Sequence, residues 1–257
     1  MANIYFTNED GSLKTKEEFT KEMAELYDTY ASQEAEDEEA KILFQCTINP
    51  ETQIDTQKSL NTFNFLTRTF FIRDVITQDT AKEIFSAINL FNRIDFTTPP
   101  DERRPIKLII NTYGGDLEAG FTIVSAIRAS QTPVYTYNVG MAFSCGFFIL
   151  INGHRRFGSE YSSYLFHQGS ALYAGDAHKV MQGVDYYKHL LKILKKNVLE
   201  ETSISSELFD QHQKDDWYFD AKKALKLGVI DEIMTDINLD NFAIKEEEDN
   251  NGTENQS

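Results

Sequence analysis

The sequence predicts an α/β fold in which parallel strands are joined by helical crossovers. From residue 79 onward, segments of helical period alternate with short runs rich in β-branched and aromatic residues. The runs also follow one another too far apart for hairpins, so a crossover helix has to return the chain to the same end of the sheet. At 257 residues, with 41% apolar and 26% charged residues and five prolines, the chain is long enough to bury one substantial core with appendages.

The elements follow in order. "TKEEFTKEMAELYDTYA" (15–31) reads as an amphipathic helix with Phe19, Met23, Leu26, Tyr27 and Tyr30 on one face, and Thr15 and Glu18 at capping-box spacing. After the acidic "EAEDEEA" (34–40), "ILFQCTI" (42–48) reads as a strand, and "NTFNFLTRTFFIRDVI" (61–76) as one or two more. "DTAKEIFSAINLFNRI" (79–94) is a helix capped by Asp79, and "PPDERRP" (99–105) a loop. "IKLIINT" (106–112) is a buried strand.

"DLEAGFTIVSAIRAS" (116–130) is a helix with Leu117, Phe121, Val124 and Ile127 inward, and "TPVYTYNVG" (132–140) the next strand. A long helical pattern spans 176–199, with Val180, Val184, Tyr187, Leu191, Leu194 and Val198 at helical spacing. The expected division is an N-terminal extension (1–45), a main domain (46–239) and an acidic tail (240–257).

Composition excludes several function classes. A net charge of −16 argues against a general nucleic-acid binder, which needs clustered Lys and Arg. Cys46 and Cys145 form neither a disulfide framework nor a metal spacing. The N-terminus shows no secretory pattern, and the longest apolar run, about a dozen residues, falls short of the roughly 20 that span a bilayer. The expected location is the cytoplasm, with neither nucleic acid nor membrane as partner.

The informative stretch is "NVGMAFSCGFFILIN" (138–152), an apolar run interrupted by Ser144, Cys145 and Gly146. If a strand ends and a helix begins here, Ser144 sits on the turn. The unpaired N–H groups of the helix's first turn could then stabilise an oxyanion beside it. Gly146 would allow close approach of substrate or backbone. The plainer alternative is that Ser144 is a helix N-cap, and the local pattern is not a G-x-S-x-G elbow because Ala142 replaces the first glycine. A second cluster, "LIINTYGGDLEAG" (108–120), has a Gly114-Gly115 turn able to aim backbone N–H groups at a carbonyl.

From these residues onward the sequence resembles the proteolytic subunit of the Clp protease, a serine peptidase of the ClpP/crotonase fold. That family has a Ser-Pro-Gly-Gly turn, then a Gly-x-Ala-x-Ser-x-Gly segment, here Gly140 to Gly146, and a Met-Ile-His-Gln-type strand, here "YLFHQGS" with His167. Its aspartate lies just before an Ala-x-x-Ala-x-x-x-Gly-hydrophobic-hydrophobic-Asp segment, here Ala221 to Asp231. The similarity runs from about Phe70 to Thr235.

The resemblance implies repeated β-β-α units with a long protruding handle helix. It also implies a catalytic Ser144, His167 and Asp216, with an oxyanion hole from the backbone N–H groups of Gly115 and Cys145. Asp215, Asp210 and Asp220 are rivals for the acid, and Cys145 is expected to pack rather than react. His167 could instead be a structural histidine.

The implied activity is ATP-dependent serine endopeptidase action on unfolded polypeptides, with no cofactor or metal in this chain and ATP used by a partner. The implied partners are further copies of the chain, in heptameric rings stacked as a tetradecamer, and a hexameric AAA+ unfoldase of ClpX/ClpA/ClpC type. Lys107 and Ile109 make the docking pocket atypical, and Thr112-Tyr113 replaces Ser-Pro before the glycines. The N-terminal extension is expected to serve as a pore gate or adaptor surface. The alternatives are a non-catalytic ring subunit and a crotonase-type acyl-CoA enzyme.

Overall fold

In the computed structural model the structure describes residue 61 and residues 64–236 except 213. The expected helix at 15–31, the strand at 42–48, Cys46 and the acidic tail lie outside these residues. The chain divides into two units, Met1–Thr67 and Arg68–Ser257, and nearly all described residues belong to the second. Residues 61 and 64–66 are helical, not extended as their β-rich composition suggested.

The second unit is a mixed sheet with helices. Strand β1 (Thr69–Ile76) leads into α1 (Gln78–Ile94), β2 (Ile106–Gly115), α2 (Leu117–Ala129), β3 (Val134–Phe143) and the short α3 (Cys145–Leu150). Then come β4 (Arg155–Ser159), β5 (Ser163–Phe166), the long α4 (Ala177–Glu201), α5 (Ser206–His212), β6 (Trp217–Asp220), α6 (Ala221–Lys226) and β7 (Glu232–Met234). The main path β1-β2-β3-β4-β7 is parallel throughout, as crossover connections require.

The cap of α1 is Thr77, not Asp79. Thr77 and Thr80 satisfy one another's backbone N–H groups in a capping box, while Asp79 sits in the first turn, where it favours the helix dipole. Helix α2 is capped by Asp116, whose side chain accepts from Ala119 N–H at 2.6 Å. Its buried stripe is Ile123, Val124 and Ile127 with small Ala119 and Gly120, whereas Leu117 and Phe121 are only partly buried.

One face of the sheet carries Ile72, Ile76, Leu108 and Ile110 against α1, α2 and α3. All six residues of α3 are buried, which accounts for the uninterrupted apolar "FFIL": a helix apolar all round belongs inside. A smaller cluster of Ile109, Tyr137, Phe157 and Met234, with Tyr135 packed against it, forms separately. Ile109 thus meets aromatic rings supplied by neighbouring strands, and Lys107 is buried.

Helix α4 enters the core only in its C-terminal half, through Leu190, Leu194, Asn197 and Val198. Val180, Val184 and Tyr187, expected inward, are half-buried, and Met181 and Tyr186 are exposed. The helix outruns the apolar layer on which its first turns could rest. Among the described residues, no helix is long and apolar enough to cross a membrane.

Arg68 closes the start of β1 by gripping the carboxylate of Asp95 with two nitrogens, at 2.6 and 2.8 Å, while Thr132 donates to the same group at 2.8 Å. Burial alone would raise the Asp95 pKa, but the Arg68 and Thr132 hydrogen bonds outweigh it and hold the group below the ordinary value. A carboxylate with a lowered folded-state pKa stabilises the protein fully above its unfolded pKa, near 4, and that contribution is lost as pH falls through the folded value. Asp95→Asn leaves the mostly buried Arg68 unpaired and is expected to cost about 3 kcal/mol in urea unfolding at pH 7. The deficit should shrink below about pH 4, where wild type loses the same charge.

Candidate active site

Strand register brings the three predicted side chains together. Strand β3 forks: Tyr135 to Asn138 pair with β4, and Met141 to Phe143 with β5. At the fork, Asn138 donates to Ser163 O at 3.0 Å and accepts from Gly140 N–H at 3.1 Å. On the other side β3 bulges against β2, since Ile110 pairs with Asn138 but Thr112 with Ala142. Asn111 accepts from Met141 N–H within the bulge, and a side chain at Gly140 would strike it.

Phe143 pairs with Leu165 in parallel, so Ser144 and His167 leave neighbouring strand ends together. Strand β6 runs antiparallel to β5 with Phe166 opposite Trp217, which puts Asp216 opposite His167. Ligand sites of open α/β sheets gather at such C-terminal strand ends.

The distances follow. Ser144 Oγ lies 2.8 Å from His167 Nε2, and His167 Nδ1 lies 3.0 Å from Asp216 Oδ1. Because an ionised carboxylate only accepts, Nδ1 carries the imidazole proton and Nε2 accepts from the serine hydroxyl. Of the rival carboxylates, Asp210 pairs with Lys195 and Asp220 caps α6, and among the described residues none of Asp210, Asp215 and Asp220 bonds His167.

Ser144 stands at the N-cap position of α3, yet its side chain makes no capping bond. Its backbone is strained, with φ 53° and ψ −116°, and its own N–H is fixed to Leu165 O at 2.9 Å. A serine held at positive φ with its hydroxyl on a histidine, not on the helix, is poor capping and good presentation.

The Gly114-Gly115 pair, which forms the end of β2 where the sequence suggested a turn after Thr112, lies against it. A Cβ on Gly114 would come within 2.8 Å of Ser144 Cβ and 3.1 Å of Cys145 N, and φ there is 102°. Asp116 N–H donates to Ile76 O. Gly115 and Cys145 both line the cavity that holds Ser144 and His167.

Thr112, which sequence reasoning treated only as a departure, pins this strand end. Its hydroxyl bonds Asp74 O and accepts from Gly114 N–H at 3.0 Å. A Cβ on Gly146 would come within 2.5 Å of the Thr112 methyl, so the glycine makes room for that methyl. Behind His167, Tyr187 of α4 donates to Gln168 O at 2.7 Å and ties the following loop down.

Cys145 is buried, its thiol packed where a side chain on Gly120 would be and donating to Asp116 O at 3.5 Å. Burial, aided by the Asp116 charge, pushes its pKa up to about 12. Such a shift disfavours the thiolate, the form in which a cysteine attacks. Beyond it, Tyr113, Phe143 and Tyr218 form a row of edge-to-face rings with centroids 6.0 and 5.7 Å apart.

A family model described as Clp protease matches residues 53–236. The ATP-dependent Clp protease proteolytic subunit 2 of Treponema pallidum is 28% identical over 170 residues, covering 65% of this chain and 82% of that protein. The subunit of the same name from Borreliella burgdorferi is 28% identical over 182 residues, 68% of this chain and 87% of the relative. That of Rhodococcus jostii is 26% identical over 170 residues, 65% and 84%.

Proposed function

Since the chain belongs to the Clp protease family, we propose that it is a serine-type endopeptidase subunit that hydrolyses unfolded polypeptides through Ser144, His167 and Asp216. The observation that carries this reading is the 2.8 Å contact of Ser144 Oγ with His167 Nε2, made by a serine on strained backbone. Ser144 Oγ attacks the peptide carbonyl as its proton passes to His167 Nε2, and Asp216 steadies the imidazolium. The Gly115 and Cys145 N–H groups hold the oxyanion. His167 then gives the proton to the leaving amine, and water, activated in the same way, releases the acyl group.

This chemistry needs neither metal nor nucleotide in the chain. The half-exposed start of α4, with Met181 and Tyr186 outward, supports a handle through which heptameric rings of this chain stack into a closed tetradecamer. The chamber is fed by a hexameric AAA+ unfoldase of ClpX/ClpA/ClpC type that spends the ATP, in the cytoplasm. The docking surface differs from the usual one, with Ile109 and buried Lys107 beside Tyr135, Tyr137 and Phe157.

The test is intact-mass analysis after treatment with a fluorophosphonate. One adduct per chain, mapped to Ser144, is expected. Assembled protein that takes up no probe even beside a partner subunit would instead mark a non-catalytic ring member.

A further inference from the structure

The cavity beside Ser144 has a volume of about 580 Å³, much more than a small side chain fills. Its walls are apolar at Leu117, Phe148, Leu190 and Leu194, of which the last two are buried residues of α4. Two carboxylates, Asp116 and Glu118, stand at the entrance of α2 on the same cavity, and no lysine or arginine lines it among the described residues. A cavity with an apolar wall and acidic groups at one side suits a side chain with a long aliphatic stem and a cationic head.

We propose that this cavity selects lysine or arginine at the residue whose carbonyl Ser144 attacks, with Asp116 and Glu118 as the groups that determine the preference. The inference rests on the peptidase reading of Ser144. The cavity is shared by Gly115 and Cys145, the two oxyanion donors, so the side chain nearest the bound carbonyl is the one that reaches it.

Asp116 is fixed for this task. Its Oδ1 accepts both Ala119 N–H at 2.6 Å and Gln78 Nε2 at 2.9 Å, which sets the carboxylate's orientation and leaves Oδ2 to take another donor. Its charge is felt next to the nucleophile, since it helps raise the Cys145 thiol pKa. Glu118, in the first turn of α2, adds a second negative charge. An acidic substrate side chain would meet both carboxylates without a compensating cation, and the net charge of −16 disfavours its approach as well.

The experiment uses the full-length protein and fluorogenic peptides identical except at the residue before the scissile bond: lysine, norleucine or glutamate. Norleucine keeps the stem of lysine without the ammonium, so the ratio of their kcat/KM values reads the charge alone. We expect a lysine-to-norleucine ratio of about ten or more, a lower ratio at high salt, and glutamate far below both. In the double variant Asp116→Asn, Glu118→Gln the ratio should fall to near one, with asparagine preserving the α2 cap.

A ratio of one or less in active wild type overturns the proposal while leaving the peptidase reading intact. A high ratio that survives the double variant overturns the assignment to these carboxylates. Absence of both cleavage and fluorophosphonate labelling at Ser144 overturns the peptidase reading and this inference with it.

Discussion

Ser144→Ala is expected to lower kcat/KM for peptide cleavage by about 10⁴-fold or more, to abolish fluorophosphonate labelling and to leave the fold unchanged. Nothing in the core depends on the hydroxyl: its one hydrogen bond is to His167, and it makes no cap on α3. Its backbone, at φ 53° and ψ −116°, is costly for any residue with a Cβ, and alanine inherits the strain. Glycine does not. Ser144→Gly should be equally inactive yet more stable by about 1 kcal/mol, a rise of roughly 2–4 °C in Tm. An inactive variant that melts later than wild type would show that the strain is kept for presentation of the serine. If Ser144→Ala still cleaves peptides at the wild-type rate, Ser144 is not the nucleophile.

Much of this site was legible because chemistry and register both leave marks in sequence. The Gly-Gly turn, the serine segment, the histidine strand and the aspartate before "WYFDAKKA" occur in order, and the structure aligns the four at adjacent strand ends. What sequence did not disclose is how they align. The fork of β3 depends on Asn138 bonding Ser163 and Gly140, and the bulge on Asn111 reaching Met141. An asparagine inside a strand carries no signal that it will splice registers, and the sequence pattern accordingly ends β3 at Gly140, three residues short of Phe143.

Local propensity misled at smaller points for related reasons. Thr77 and Asp79 are both capping residues, and only the reciprocal bond with Thr80 decides between them. Residues 61–66 are rich in aromatic and Thr residues, which favour strands, yet those described are helical; short-range propensity yields to context. The apolar stripe of α4 predicts inward residues along its full length, but a stripe does not say whether its partner lies in the same chain.

Asp216→Asn should then reduce kcat by about 10²–10³-fold with little change in KM, while Asp215→Asn leaves both within about twofold. The residues are adjacent in sequence but differ in geometry. Asp216 Oδ1 is 3.0 Å from His167 Nδ1, whereas among the described residues no hydrogen bond joins the Asp215 carboxylate to that ring. An amide at 216 keeps the shape but can present its N–H₂ to Nδ1, which favours the tautomer with the proton on Nε2, where it cannot accept from Ser144. The loss is expected to be smaller than for a buried acid because the Asp216 side chain is 60% exposed, and water already solvates the imidazolium that it would otherwise steady alone. A matching fall on replacing Asp215, with Asp216→Asn unaffected, would mean that the acid had been assigned one residue too late.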